Sequence, residues 1–274
     1  MIIRIVLYCL LGGVAFMMPA LGASHAPWWW ASGVLIAAAF VPVALFGPKT
    51  ALGQFGVIFP VLFLVSALTT WSEAVIFIKS PLIQDHAVAN LVYDTIGHLI
   101  SAIGLVVLWK ILKLTRDSAV IPAQHPWRKA IGLIALCALF YVACYLVFGS
   151  ITYQFFTKKY YPGGAAIAEA MGIWFWLIEL GRGLLITLAI VPAIYTLRLS
   201  RWDTAICMGL LLWIAGGLAL LIVPNVLLGG GQRFIHTIEI LTENFPPGVV
   251  AALLLRPKAP AEAWIGSSPH PSRT

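Results

Sequence analysis

The chain is poor in charge. Only 17 of its 274 residues are Lys or Arg and ten are Asp or Glu, so charged residues make up 10% of the sequence and hydrophobic residues 61%. Soluble domains carry about 25% charged and 45–50% apolar residues. This shortage of charge excludes a cytosolic enzyme and a soluble nucleic-acid-binding domain. The mean hydropathy of +0.96 indicates an integral membrane protein.

Cysteine and catalytic motifs are scarce as well. The four cysteines all lie in apolar runs without a Cys-x-x-Cys spacing, which excludes a disulfide scaffold and is typical of small core residues. The sequence also lacks a nucleophile elbow, a phosphate-binding loop, a dinucleotide fingerprint and a His-Glu-x-x-His zinc motif. These absences argue against a conventional hydrolase and a nucleotide-driven pump.

Long apolar runs are abundant. Because a membrane helix needs about 20 apolar residues, the runs predict an all-α polytopic transmembrane helix bundle of about eight spans. A single transmembrane domain would cover residues 1–258, with a polar, disordered cytoplasmic tail over 259–274. The expected spans are 2–22, 28–47, 55–78, 88–112, 129–150, 168–197, 204–226 and 233–255.

The first run has a second interpretation. Arg4 precedes an apolar stretch that ends in the small residues of 20–24, which is also the pattern of a cleaved signal peptide. Cleavage would leave seven spans with the same topology. Retention is favoured because the run reaches spanning length.

The basic residues predict the orientation. With eight spans, 12 of the 17 Lys and Arg residues fall on the side of both termini, four fall on the other side, and Arg182 lies within a span. The positive-inside rule then predicts that both termini are cytoplasmic, and the small size and composition favour the inner membrane of a bacterium. The net charge of +7 reflects this topology, and nucleic acid is not an expected partner.

The acids gather on the side that is poor in cations. Seven of the ten belong to the outer half of the expected bundle. At 1.5 Å per residue, four of them lie about 7–15 Å below the outer helix ends. Intramembrane acids normally face a bundle interior or a wet cavity and mark function. We therefore expect one outward-facing pocket lined by Glu73, Asp94, His98, Glu179, Arg182, His236, Glu239 and Glu243.

One hypothesis is a metal-dependent membrane enzyme that acts on a lipid or another apolar substrate. Helical bundles hold di-metal sites with single Glu residues and mixed carboxylate–His pairs, although the usual Glu-x-x-His spacing is missing here. Arg182 would hold an anionic head group or tune Glu179, and the catalytic residues would be Glu179, Arg182 and Glu243. The ligands of one or two divalent ions would be Glu73, Asp94, His98, Glu179, His236 and Glu239.

A second hypothesis is a proton- or cation-coupled secondary transporter. Glu179, Glu239 and Glu243 would be the coupling groups, and residues 244–248 (Asn-Phe-Pro-Pro-Gly) would interrupt the eighth span in mid-membrane as a moving element. A third is a membrane assembly or interaction subunit. In each case the bilayer lipids are direct neighbours, and the oligomeric state stays open.

The tyrosines of the fifth span are a weaker signal. Tyr141, Tyr145 and Tyr153 precede the basic pair Lys158-Lys159. This aromatic, basic end could hold a lipid head group or lie at the membrane interface, and the interface is favoured because tyrosines near a span end are typical of it.

Overall fold

The computed structural model describes residues 1–20, 25–77, 81–159, 164–224 and 228–257. The structure is 85% helical, with no strand among these residues, which confirms the all-α polytopic bundle. The eight principal helices are α1 Ile2–Met17, α2 Ala26–Phe46, α3 Ala51–Phe77, α4 Ala87–Leu112, α5 Trp127–Thr157, α6 Ile173–Thr196, α7 Arg201–Leu221 and α8 Gly230–Leu255.

Helices α2 to α8 are long and apolar enough to cross a membrane, and α1 is shorter, with 16 residues. Helix α1 nevertheless packs closely on α2. A Cβ atom on Gly13 would lie 2.8 Å from the carbonyl oxygen of Trp30, and the indole of Trp30 donates a 3.1 Å hydrogen bond to the carbonyl of Leu10. Tyr8 of the same helix is fully buried. Small residues at these positions let the two backbones approach.

Hydrogen bonds join one set of helix ends. The indole of Trp109, near the end of α4, donates to the carbonyl of Ala44 in α2 at 3.0 Å. The amide of Arg198, just after α6, donates to the carbonyl of Phe46 at 2.9 Å. Arg256, just after α8, donates to the carbonyl of Leu197 at 3.0 Å. The ends of α2, α4, α6 and α8 therefore lie at one face of the bundle, together with the starts of the other four helices.

This face is the cation-rich end. Twelve cations were expected here, and all but Lys258 and Arg273 lie in described residues. Lys79, expected at the opposite face, and the expected tail of residues 259–274 are also outside the described residues. The ten cations are Arg4, Lys49, Lys110, Lys113, Arg116, Arg128, Lys129, Arg198, Arg201 and Arg256. The opposite face, with most of the acids, is the acid-rich end.

The predicted interruption of the eighth span is wrong. Helix α8 runs without a break from Gly230 to Leu255 and contains Pro246 and Pro247 in its interior. Helix α8 packs closely on α7 beside the prolines: a Cβ atom on Gly248 would lie 2.6 Å from the carbonyl oxygen of Met208, and one on Gly209 would lie 2.8 Å from the ring of Phe245. Neighbouring helices can keep a proline-containing membrane helix continuous in this way.

Three helices instead widen into π-helical segments. These are Val61–Thr69 in α3, directly after Pro60, Tyr153–Thr157 at the end of α5, and Ile214–Leu218 in α7. The first and third touch each other, and the Ser66 hydroxyl donates a 2.7 Å hydrogen bond to the carbonyl of Ala215. Segments of this kind are frequent at functional sites.

Candidate functional site

A cavity of about 780 Å³ lies between α3, α5, α6 and α8 at the acid-rich end. Its walls are mainly apolar and aromatic, and the short helix Gly164–Met171 borders it. Three ionisable side chains of the expected site, Glu73, His236 and Glu239, line it. The polar and aromatic lining residues that the expected site did not contain are Thr70, Phe77, Tyr145, Ser150, Tyr153, Gln154, Thr157 and Phe175.

A much smaller polar pocket, here called the hollow, contains the inner acid Glu243. Its volume is about 10 Å³, close to that of a single water molecule. Glu73 lines both spaces, so the hollow adjoins the cavity. The hollow is lined by Thr69, Thr70, Glu73, Tyr141, Arg182, Ile186, Gly216, Ile240, Glu243 and Asn244.

Arg182 joins two carboxylates from different helices. Its Nη1 donates to both oxygens of Glu179, one turn earlier in α6, at 2.9 Å each, and its Nη2 donates to Oε2 of Glu73 in α3 at 2.8 Å. Glu179 is 1% exposed, whereas the side chain of Glu73 is 43% exposed toward the cavity. The pairing of Glu179 with Arg182 satisfies a charge that would otherwise be costly in the membrane interior.

Two tyrosines of α5, Tyr141 and Tyr145, lie inside the bundle, so their expected place at the interface is wrong, whereas Tyr153 is part-exposed at the acid-rich end of the helix. The guanidinium carbon of Arg182 stands 5.3 Å from the centre of the Tyr145 ring, within the range of a cation–π interaction. Tyr141, one turn earlier, is buried and lines the hollow. Their spacing puts both rings on the face of α5 that packs on α6, where Arg182 attracts the π systems.

His236 and Glu239 form a second polar pair on the cavity wall. The Nδ1 atom of His236 lies 2.6 Å from Oε2 of Glu239, one turn later in α8. Both side chains are mostly buried and line the cavity. The pair presents a titratable imidazole and a carboxylate to whatever enters.

Glu243 lies one turn deeper on α8 than Glu239. It is 6% exposed, and among the described residues its Oε1 has no hydrogen-bond partner. Gly149 of α5 covers this oxygen, because a Cβ atom there would lie 2.9 Å from it. The charged and titratable groups that face Glu243 are Glu73 on α3, Tyr141, Cys144 and Tyr145 on α5, Glu179 and Arg182 on α6, and Glu239 on its own helix.

Asp94 and His98 are not among the residues that line the cavity or the hollow. Asp94 is exposed on α4. The Nδ1 atom of His98 lies 2.6 Å from the carbonyl oxygen of Asp94, and its ring packs edge-on against Phe16 of α1 at 6.3 Å. Helix α4 packs on α1 and α3, so the expected place of Asp94 and His98 in the shared pocket is not what the structure has.

The six expected ligands do not fit a single metal centre. Both oxygens of Glu179 and one oxygen of Glu73 accept hydrogen bonds from Arg182, and Asp94 and His98 lie on α4 outside the cavity lining. Within the described residues, no three or more His, Cys, Asp or Glu side chains are grouped so that they could hold a metal ion. His236, Glu239 and the second oxygen of Glu73 remain as cavity-lining donors.

Comparisons of the chain with protein-family models, with curated proteins and with solved structures gave no match.

Proposed function

We propose that the protein is a secondary transporter whose coupling group is Glu243, loaded with either a proton or the positive charge of a solute. The acid-rich end would face the outside of the membrane, as the positive-inside distribution favours, and that membrane would be the inner membrane of a bacterium. The observation that carries the proposal is a buried carboxylate, one oxygen of which has no hydrogen-bond partner among the described residues, beside a cavity of about 780 Å³.

The energetics of Glu243 support this role. A carboxylate in a low-dielectric interior costs several kcal/mol unless it is neutralised or paired. Arg182, the one Lys or Arg among the described residues that line the hollow, already donates hydrogen bonds to Glu179 and Glu73. The charge of the Glu243 carboxylate is therefore neutralised either by a proton or by a cation in the adjoining cavity, and the two compete. Such competition is the basis of coupled transport.

Buried polar side chains join the helix ends at the opposite face of the bundle, which we take as the closed end. The Arg256 side chain is 3% exposed and donates to the carbonyl oxygens of Leu197 and Leu199 and to the hydroxyl of Thr204. Gln54 is 1% exposed and donates to the carbonyls of Val43 and Pro48 at 3.0 and 2.8 Å. A ligand space near one end with closure at the other is the geometry of one state of alternating access.

The π-helical segments supply a structural element that can change. Thr69 and Gly216, from the two touching segments, line the hollow, and Tyr153 and Thr157, from the third, line the cavity. A change from π to α spacing rotates the side chains that follow it, which include Thr70 and Glu73 in α3. Because Glu243 lies beside these segments, protonation of its carboxylate would be coupled to the rotation of the helices that contain them.

Alternating access is tested with two cysteine reporters in lipid nanodiscs. Ser150→Cys reports on the cavity, and Ala252→Cys reports on a fully buried position one turn before Arg256. A water-soluble maleimide is applied with Glu243 intact and with Glu243→Gln, which imitates the protonated side chain. We expect the two labelling rates to change in opposite senses, because opening one end requires closing the other.

The control background is Glu169→Gln, an exposed acid of the same end that does not line the cavity. The parent chain with its four native cysteines gives the labelling background. Unchanged rates at both reporters, or changes in the same sense, would contradict alternating access and leave a static pocket.

A static pocket would favour a second candidate, a metal-dependent membrane enzyme for a lipid or other apolar substrate. The observation that favours it is the His236–Glu239 pair on the cavity wall, with Glu73 on the same wall. Imidazole and carboxylate ligands suit zinc and other divalent transition metals. Elemental analysis of chelator-free protein tests it: stoichiometric metal that is lost in both His236→Ala and Glu239→Ala supports the enzyme, and metal-free protein after repletion opposes it.

A further inference from the structure

We propose that the solute of this cavity is an amphiphilic organic cation, with one positive charge on a bulky apolar body. The inference deepens the transporter proposal, since it names the substrate class of the same site. The inference concerns only which solutes the cavity binds, so it can be tested without any measurement of transport.

The charge of the site selects a cation. Glu73, Glu239 and Glu243 lie on the cavity or the hollow, and among the described lining residues Arg182, in the hollow, is the sole Lys or Arg. Its Nη1 and Nη2 donate to Glu179 and Glu73, and its Nε is buried. His236, the basic side chain on the cavity wall, lies 2.6 Å from Oε2 of Glu239. An anion would have to displace a carboxylate from Arg182 or His236, while a cation can approach the remaining oxygens of Glu73 and Glu239.

The walls of the cavity select an apolar body. A volume of about 780 Å³ is within the range of pockets for small organic ligands, about 300–1,000 Å³. Aromatic rings of α3, α5 and α6 line the space, namely Phe77, Tyr145, Tyr153 and Phe175. Such rings attract a poorly hydrated organic cation through their faces as well as by apolar contact. A small inorganic ion would leave this apolar volume unfilled.

The reaction at the site is an exchange of charge. A cation that enters the cavity approaches Glu239 on the wall and Glu243 below it, and the proton held by Glu243 leaves to water. The Glu243 carboxylate left behind, in the hollow that adjoins the cavity, then balances the ligand's positive charge electrostatically. No group other than water is needed to complete this balance.

The experiment uses two probes of matched shape and opposite charge, tetraphenylphosphonium and tetraphenylborate. Radiolabelled probe is equilibrated with the protein in lipid nanodiscs, and binding to empty nanodiscs is subtracted. We expect saturable tetraphenylphosphonium binding, about one per chain, and no saturable tetraphenylborate binding. Glu239→Gln and Glu243→Gln should each weaken binding by about tenfold or more, since each removes a charged contact. Glu169→Gln is the matched control and should bind as the wild type does.

Three results would overturn the inference: equal or tighter binding of tetraphenylborate, no saturable binding of either probe, or tetraphenylphosphonium binding that is unchanged in both cavity variants. Gel filtration of each variant shows whether it is folded, and Tyr145→Phe, which keeps the aromatic face, should retain binding. The maleimide experiment tests alternating access, and its outcome does not depend on the outcome of the binding experiment. Binding without alternating access would uphold the organic-cation site and reject transport, and alternating access without binding would do the reverse.

Discussion

Gly149 of α5 makes room for the carboxylate of Glu243 in α8: a Cβ atom on residue 149 would lie 2.9 Å from Oε1 of Glu243. That separation is shorter than a normal carbon–oxygen contact, so a methyl group there must displace the carboxylate. The displaced group would have to move within a hollow of only about 10 Å³. The absence of a side chain at Gly149 is thus part of the site.

The first prediction follows from this contact. Gly149→Ala should weaken tetraphenylphosphonium binding, because the added methyl group moves the Glu243 carboxylate off its position. Gly132→Ala is the matched control on the same helix, where a Cβ atom meets nothing within 4 Å. Equal binding by the two variants, measured in nanodiscs, would show that the position of Glu243 does not matter.

The second prediction concerns the buried ion pair. Arg182→Gln should lower the free energy of unfolding by about 3–5 kcal/mol, because it leaves Glu179 buried without its counter-charge. Adding Glu179→Gln should recover part of the loss. Denaturant unfolding in mild detergent, followed by tryptophan fluorescence, measures both effects.

The control for that prediction is an exposed ion pair. Lys49 and Asp117 lie 3.0 Å apart with side chains 60% and 94% exposed. The Lys49 ammonium lowers the pKa of the Asp117 carboxyl. Lys49→Gln should nevertheless leave the unfolding midpoint nearly unchanged, because water and salt screen such pairs. A loss as large as that in Arg182→Gln would mean that burial is not what makes Arg182 important.

The third prediction tests the packing that keeps α8 continuous. Gly248→Ala should destabilise the protein by about 1–3 kcal/mol, because the new methyl group meets the backbone carbonyl of Met208, which cannot rotate away. Gly56→Ala, with nothing within 4 Å, should be neutral or slightly stabilising through helix propensity. A stabilised Gly248→Ala variant would contradict the close approach of α7 and α8.

The fourth prediction concerns closure of the cation-rich end. Arg256→Gln removes the donors to the carbonyls of Leu197 and Leu199 and should raise maleimide labelling of Ala252→Cys. Arg128→Gln, an exposed cation of the same end, serves as control. If labelling stays as slow as in the parent, Arg256 is not part of the closure.

Part of this site could be predicted from the sequence. The positive-inside rule and the acids of four spans place Glu73, Glu179 and Glu239 at one end of the bundle. The i, i+3 spacing of Glu179 and Arg182 also permits the ion pair that they form. Helical periodicity determines which side chains share one face of a helix, so contacts between residues of the same helix can be predicted from sequence.

Relations between helices were not accessible. The hydrogen bond of Arg182 to Glu73 spans 109 residues. This bond forms only because α3 and α6 are neighbours. The apolar composition of the spans does not determine which helices pack together. The same limit explains His98, which the sequence predicts in the pocket with Asp94 but whose ring packs against Phe16 of α1. The two prolines of α8 predict an interruption of the eighth span. The helix is continuous because glycines of α7 and α8 let the two helices pack closely, and a single sequence does not reveal that packing.

The most direct measurement of the central role of Glu243 is proton release on cation binding. Tetraphenylphosphonium is added to protein in weakly buffered nanodiscs that contain a pH indicator, with wild type and Glu243→Gln compared at the same saturation. The wild type should release about one proton for each bound cation, and Glu243→Gln should release none. Equal release by the two proteins, or binding by the wild type without any release, would contradict the assignment of Glu243 as the group that exchanges a proton for the solute.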